Sequence, residues 1–228
     1  MPARFPDLTD AALADALAAL ARAGLDPAWP VPRDRVALAA STGWTGPHLA
    51  EAVRRAFAPF TPAACRRLVA MGRPSPSVPA PRALLAVLAG RVPAVASAAL
   101  FQGLAARHAV TLKPAAAEPV FARLLVSLVA RAAPPLAGAV RLLDLPSDDP
   151  RLLAEVRDAP VVLAYGSDET IAAILASRPG RPTIAGGHRE SVALLFRDAL
   201  QRPGAATRLA RAIARDAAIY DQSGCLSP

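Results

Sequence analysis

The chain of 228 residues holds two cysteines, three histidines and one lysine. Cys225 lies in "DQSGCLSP", directly after Gly224. A thiolate displayed on a turn is the type of group that attacks an activated carbonyl and then leaves again. Lys113 closes "VTLKP" and is the sole lysine against 25 arginines among 26 basic residues. An ammonium is a compact point charge, whereas a guanidinium is a planar fork. A lysine that persists in so arginine-biased a chain marks a place where arginine fails. Each residue also has a plainer reading, since a polar C-terminus is usually frayed and a lone lysine is often a solvated charge. Cys65, inside the helical pattern "TPAACRRLVAM", reads as a small buried apolar residue.

The other candidates follow apolar runs, and those runs define the scaffold. "HAVTLKP", "AVRLLDL", "PVVLAYG" and "RPTIAGG" read as strands, separated by the helical patterns "EPVFARLLVSLVARA", "DPRLLAEVRDA" and "SDETIAAILAS". Such alternation predicts parallel βαβ units, hence an α/β fold with a doubly wound parallel sheet. Helices are predicted after it at "SVALLFRDAL" and "ATRLARAIARDAAIY". Doubly wound sheets bind ligands at the carboxyl ends of their strands. The residues there are Lys113, Gly166 and Ser167, and Gly186, Gly187 and His188. Free N–H groups behind Gly166 and Ser167 would hold a phosphate at a helix N-terminus, or Gly166 makes a turn and Ser167 caps the helix. Gly186 and Gly187 permit close backbone approach or simply shape a turn. No G-x-G-x-x-G or Walker motif is present.

Upstream, residues 1–75 form a helical N-terminal region. "LTDAALADALAALARAG" has Thr9 or Asp10 as N-cap and Gly24 as its stop, and "GPHLAEAVRRAF" and "TPAACRRLVAM" supply two more helices. The Pro/Ser-rich "GRPSPSVPAP" then marks the boundary of an α/β domain over 76–187, with a further segment over 188–228. The net charge of +8 is spread over single arginines with no basic stripe or interleaved aromatics, so no nucleic-acid partner is expected. The cysteines lie far apart without histidine partners, which gives neither a disulfide framework nor a metal site. The N-terminus is not a secretory signal, and apolar stretches break before the length a membrane span requires. A soluble, cytoplasmic protein is expected.

The succession of "VTLKP", a strand followed by Gly-Ser, "GGH" and a cysteine after glycine resembles the aldehyde dehydrogenase superfamily. Within it, "AGRVPAV", "VTLKPAAAEPVF", "GHRES" and above all "DQSGCLSP" resemble the bioluminescence-type fatty acyl-CoA reductases, over roughly residues 84–228. The resemblance implies an aldehyde dehydrogenase-like NAD(P)-binding domain and the start of a catalytic domain at 188–228. The implied reaction reduces a long-chain acyl-CoA to the fatty aldehyde with NADPH, through a thioester on Cys225. It assigns Lys113 to the adenosine ribose or its phosphate, and Gly166, Ser167, Gly186 and Gly187 to the cofactor cleft. His188 stands where the superfamily has lysine, as a proton donor or a structural residue.

Three departures carry information. Ile184 replaces the glutamate that activates water in hydrolytic relatives, which suits an acyl partner that is CoA. Ala116 replaces a glutamate that hydrogen-bonds the 2′-hydroxyl of NAD, which leaves room for a 2′-phosphate. Arg91 replaces the oxyanion-holding asparagine of "GN-V-P", and its length threatens that role. By resemblance the sequence is the N-terminal part of a longer enzyme, truncated just after the nucleophile and not expected to turn over alone. Another acylating aldehyde dehydrogenase, or a non-catalytic dinucleotide-binding chain, remains an alternative, and a homo-oligomer is left open.

Overall fold

The computed structural model describes residues 5–73, 83–187, 192, 194–218 and 220. The boundary expected near residue 75 lies outside the described residues. Contacts divide the chain into Met1–Gly187 and His188–Pro228. The first unit is built on a five-stranded, wholly parallel sheet in the order β3-β2-β1-β4-β5. Its strands are β1 (Ala83–Val87), β2 (Ala109–Lys113), β3 (Val140–Leu142), β4 (Val161–Tyr165) and β5 (Thr183–Gly186). The chain runs outward from β1 through β2 to β3, then crosses to β4 on the other side of β1, as the predicted doubly wound sheet requires.

β1 is not among the strands that the sequence patterns predict. "ALLAV" is apolar at every position because the central strand is covered on both faces, so it shows no alternation. On one face Leu85, Val87, Val162 and Ala164 pack with α7 (Pro150–Asp158) and α8 (Asp168–Ser177) through Leu152, Val156, Ile171 and Ile174. On the other face lie α5 (Pro93–Ala105) and α6 (Val120–Ala132). Gly103 of α5 is forced by this layer, since a Cβ there would lie 2.6 Å from Val110 Cγ2 and 2.9 Å from Leu84 Cδ2.

Four helices precede the sheet: α1 (Asp10–Gly24), α2 (Pro32–Thr42), α3 (Gly46–Phe57) and α4 (Pro62–Met71). α1 begins where the sequence predicts, with Thr9 Oγ1 accepting the Ala12 N–H at 3.2 Å. The helices share a core with the α/β layer through aromatic rings. Phe57 meets Trp29 edge-on at 5.4 Å, Phe121 of α6 at 6.2 Å and Phe101 of α5 at 6.4 Å. Gly24 belongs to the same joint, because a Cβ there would fall 2.5 Å from the Phe57 ring. A charged latch closes the edge: Asp10 accepts from Arg107 Nη2 at 2.6 Å and from Arg73 Nε at 2.5 Å, and both hold its carboxyl below the usual range.

The second unit contains α9 (Arg197–Leu200) and α10 (Ala205–Ala218). The helix predicted over "SVALLFRDAL" is shorter than its pattern, with only Arg197–Leu200 helical among the described residues. Val192, Leu194 and Phe196 are 81%, 76% and 73% exposed. A short helix needs a buried apolar face to persist, and these side chains do not bury one. No helix among the described residues is long and apolar enough to cross a membrane.

Phe57→Ala is expected to destabilise the protein by about 3–5 kcal/mol, because it empties the contact shared by the N-terminal helices, α5 and α6. Thermal unfolding monitored by circular dichroism checks this. A loss under about 1 kcal/mol would show that the two layers do not share this core.

Candidate active site

Sheet register brings together most of the residues singled out from sequence. Val87, at the carboxyl end of β1, lies opposite Lys113 of β2 on one side and Ala164 of β4 on the other. Ala164 pairs with Ala185 and Tyr165 with Gly186 of β5. Lys113, Gly166, Ser167, Gly186 and Gly187 therefore lie along one edge of the sheet, spanning the point where the strand order reverses. Such a switch point opens a crevice at the strand ends. Cys225 and His188 lie outside the described residues.

Lys113 is 4% exposed. Its Nζ donates to Ser147 Oγ at 3.2 Å, and Ser147 stands on the exposed loop between β3 and α7. Burial pushes the ammonium below the ordinary lysine range, against a smaller opposing pull from Asp144. Asp144 itself is engaged by Arg123, whose Nη2 reaches its Oδ2 at 2.5 Å. No ion pair among the described residues includes Lys113, so a buried cation rests on one neutral hydroxyl. Uncompensated buried charge is costly, and an anion arriving at this point would relieve it. A nucleotide phosphate at the ribose end of a dinucleotide fits that need.

The turn after Lys113 is arranged to leave it so. Ala115 and Glu118 form an isolated bridge with Ala116 exposed at its tip. The one carboxylate of this turn, Glu118, faces inward at 7% exposure. It accepts from the Phe121 N–H at 2.9 Å and the Ser41 hydroxyl at 3.2 Å, and burial raises its pKa. Glu118 also lines a cavity of about 10 Å³ with Leu88, Gly90, Val92 and Pro93, beneath the loop that carries Arg91. That loop turns at Gly90, whose φ of 76° is a conformation side chains rarely adopt. Arg91, next in the chain, is exposed.

At β4 the structure shows the capping geometry. Ser167 Oγ accepts the Thr170 N–H at 3.3 Å, and a Cβ on Gly166 would crowd the Thr170 side chain at 3.1 Å. The first turn of α8 carries Asp168 and Glu169. Hydrogen bonds from Ser167 and from its own backbone N–H hold the Glu169 carboxyl below the usual range. Carboxylates thus already meet the positive end of this helix. Gly186 is constrained by the protein's own packing, since an added Cβ would lie 2.7 Å from the Tyr165 ring, whereas at Gly187 it would meet only the end of the exposed Asp168 side chain, 2.6 Å from Oδ1.

Residues 74–228 match the family model described as acyl-CoA reductase (LuxC). The chain belongs to this family. No curated protein sequence matches it significantly. Among solved structures it resembles a salicylaldehyde dehydrogenase from Pseudomonas putida G7 (TM-score 0.73, 17% identity, 98% of this chain and 48% of that one). It also resembles an oxidoreductase from Marinobacter aquaeolei (TM-score 0.76, 14% identity, 97% and 48%). A third is a succinic semialdehyde dehydrogenase from Streptococcus pyogenes solved with NADP+ (TM-score 0.69, 13% identity, 94% and 49%). At these identities the likeness shows the fold, that of the aldehyde dehydrogenases, and the chain spans about half the length of these structures.

Ile184, which the sequence resemblance sets at the position of a water-activating glutamate, lies on β5 and is 60% exposed. Cys65 is fully buried in α4, its Sγ 3.5 Å from the Phe60 carbonyl oxygen, and burial pushes its thiol pKa up. A thiol so placed is inert. Sequence reading passed over Glu118 and Ser147. The Glu-Pro pair opening a helical pattern was a visible signal for an inward-facing cap at Glu118, whereas Ser147 offered none, since its place depends on the pairing of β2 with β3.

Lys113→Met is expected to be at least as stable as the wild type at pH 7. The folded-state pKa of Lys113 lies below the unfolded value of 10.5, so the unfolded chain holds more protons between the two. Wild-type stability therefore rises with pH across that window, and the variant lacks this component of the rise. Urea unfolding at several alkaline pH values reads both effects. A large loss of stability at pH 7 would show that the ammonium is structurally satisfied.

Proposed function

We propose that the chain carries the cofactor site of an NADPH-dependent acyl-CoA reductase that forms a fatty aldehyde through a thioester on Cys225. The observation that carries the cofactor choice is Lys113, a buried ammonium at the carboxyl end of β2 with no carboxylate paired to it. Ala116 and the inward-facing Glu118 leave no negative charge on the adjoining turn to repel a 2′-phosphate. In this reading residues 1–75 are a helical region, 76–187 bind the cofactor and 188–228 open the catalytic domain. The setting is reducing and cytoplasmic, as a free nucleophilic thiol requires.

The chemistry assigned to Cys225 is acyl transfer. Its thiolate forms a C–S bond to the acyl carbonyl carbon, and the CoA thiolate departs. Held by Lys113 at the end of β2, NADPH would supply the hydride that reduces the resulting thioester. The carbonyl then re-forms as the aldehyde leaves, and Cys225 is released as thiolate. Sulfur suits both halves because it is a strong nucleophile and a good leaving group. Gly166, Ser167, Gly186 and Gly187 shape the cleft wall, His188 serves as proton donor, and Arg91 takes the place of the oxyanion amide. Arg91 also favours a second reading, a chain that binds the dinucleotide without turnover, since a long guanidinium misplaces its charge.

Two measurements test this. Fluorescence titration is expected to show tighter binding of NADPH than NADH, and Lys113→Ala to remove most of the difference; equal affinities in the wild type would refute the cofactor assignment. In a chain extended beyond residue 228, incubation with palmitoyl-CoA without NADPH is expected to add one acyl mass by intact-protein mass spectrometry. Cys225→Ala should abolish the adduct and Cys65→Ala should preserve it. An acyl group on Cys65 would show that the chemistry has been misplaced, and NADPH binding with no adduct would favour the second reading.

A further inference from the structure

We propose that Ser147 is a second determinant of cofactor choice, donating a hydrogen bond to the ribose 2′-phosphate that Lys113 pairs with; this rests on the NADPH reading above. The pairing of β2 with β3 creates the juxtaposition. Leu112 lies opposite Leu142, and the Leu143 N–H donates to the Leu112 carbonyl at 2.8 Å. The chain thus leaves β3 beside Lys113, and the following loop carries Ser147 over the end of β2. There Ser147 Oγ stands 3.2 Å from Lys113 Nζ.

A hydroxyl has one hydrogen to donate and two lone pairs. Ser147 spends a lone pair on the ammonium, which turns its O–H away from Lys113. The ammonium keeps further N–H donors of its own. A phosphate oxygen placed against both receives one charge-assisted hydrogen bond from Lys113 and one from Ser147. A 2′-hydroxyl is neutral and gains far less from the same pair.

Two neighbouring carboxylates are held so that this arrangement survives, while Asp148 lies on the exposed loop directly after Ser147. Asp144 is the carboxylate that acts on Lys113, and Arg123 holds it through Nε at 3.1 Å and Nη2 at 2.5 Å. Asp149, beyond Ser147, is taken up by Arg151 at 2.6 Å and by the first turn of α7. These two carboxylates are thus committed to arginines, while Lys113 and Ser147 are committed to each other.

The experiment compares NADPH and NADH affinity for wild type, Ser147→Ala, Ser147→Asp and Lys113→Ala. Calorimetry with 2′-AMP and 5′-AMP isolates the phosphate. Ser147 is exposed, so its replacement leaves the core untouched, and thermal melting confirms that each variant is folded. Ser147→Ala is expected to weaken NADPH and 2′-AMP by about tenfold, as for one hydrogen bond to a charged group, with NADH unchanged. Ser147→Asp is expected to reverse the preference, because its carboxylate pairs with Lys113 and repels the phosphate. A wild-type affinity ratio in Ser147→Ala, with the ratio lost in Lys113→Ala, overturns the role of Ser147 and leaves the NADPH reading standing. Equal weakening of both cofactors also overturns it, as the mark of a general loop effect. A wild type that does not discriminate, and that Lys113→Ala does not change, removes the NADPH reading and this proposal together.

Discussion

The row of backbone pairs through Val87 is the constraint on which the site depends. Val87 has Lys113 on one flank and Ala164 on the other, so the end of β1 fixes the ends of β2 and β4 at once. Neighbouring strands are spaced about 4.8 Å apart, which leaves Lys113 and the Gly166 turn only two strand spacings from each other. A one-residue slip of β2 would also move Lys113 to the opposite face, among the side chains that meet α5. Register therefore decides whether the chain's lysine lies at the crevice or inside a helix-packing layer. It is enforced by burial on both faces of β1, since no strand residue can shift without turning an apolar side chain against the wrong helix.

The N-terminal helices take part in this arrangement. Phe57 of α3 touches ring faces and edges from α5 and α6, and α6 begins at the turn that follows Lys113. Ser41 of α2 donates to Glu118 on that same turn. A carboxylate with a raised pKa, buried against a helix from the N-terminal region, would be a liability if it were free to swing toward the crevice. Its hydrogen bonds from Ser41 and the Phe121 N–H keep it inward. Helices that contribute no residue to the crevice thus fix the charge balance at its edge.

Much of the frame was legible from residue order. β2, β4 and β5 and the helices between them follow the apolar runs, and among the described residues Lys113, Gly166, Ser167, Gly186 and Gly187 lie on one edge. What sequence could not give has physical causes. β1 escapes because a five-residue strand buried on both faces has no alternation to read. α2 and α5 escape because Pro32 and Pro93 at their first turns read as breakers, although proline is well tolerated there. The helix over "SVALLFRDAL" is overcalled, because its apolar spacing fits a helix while its side chains remain exposed. For the site, Lys113 stood out through composition alone. The partners that give it meaning, Ser147, Asp144 and Glu118, depend on strand pairing and on a turn that faces inward, and residue spacing records neither.

The molecule supplies its own comparison for what a buried cation means. Arg178, at the opposite end of the sheet, is 2% exposed. Its guanidinium donates to the carbonyls of Ala159 and Pro182 at 2.6 and 2.7 Å and to Thr183 Oγ1 at 2.7 Å, leaving only Nε without a partner. Those bonds tie the entry to β4 to the entry to β5, and a planar fork suits that work because it reaches several acceptors at once. Lys113 is buried to nearly the same degree, yet it has one hydroxyl and no carbonyl among its recorded partners. If its task were structural, the arginine-rich composition shows which residue would serve, and Arg178 shows how. An ammonium kept at a desolvation cost, beside a hydroxyl with a hydrogen to spare, is what supports the proposal of an anion that comes from outside the chain.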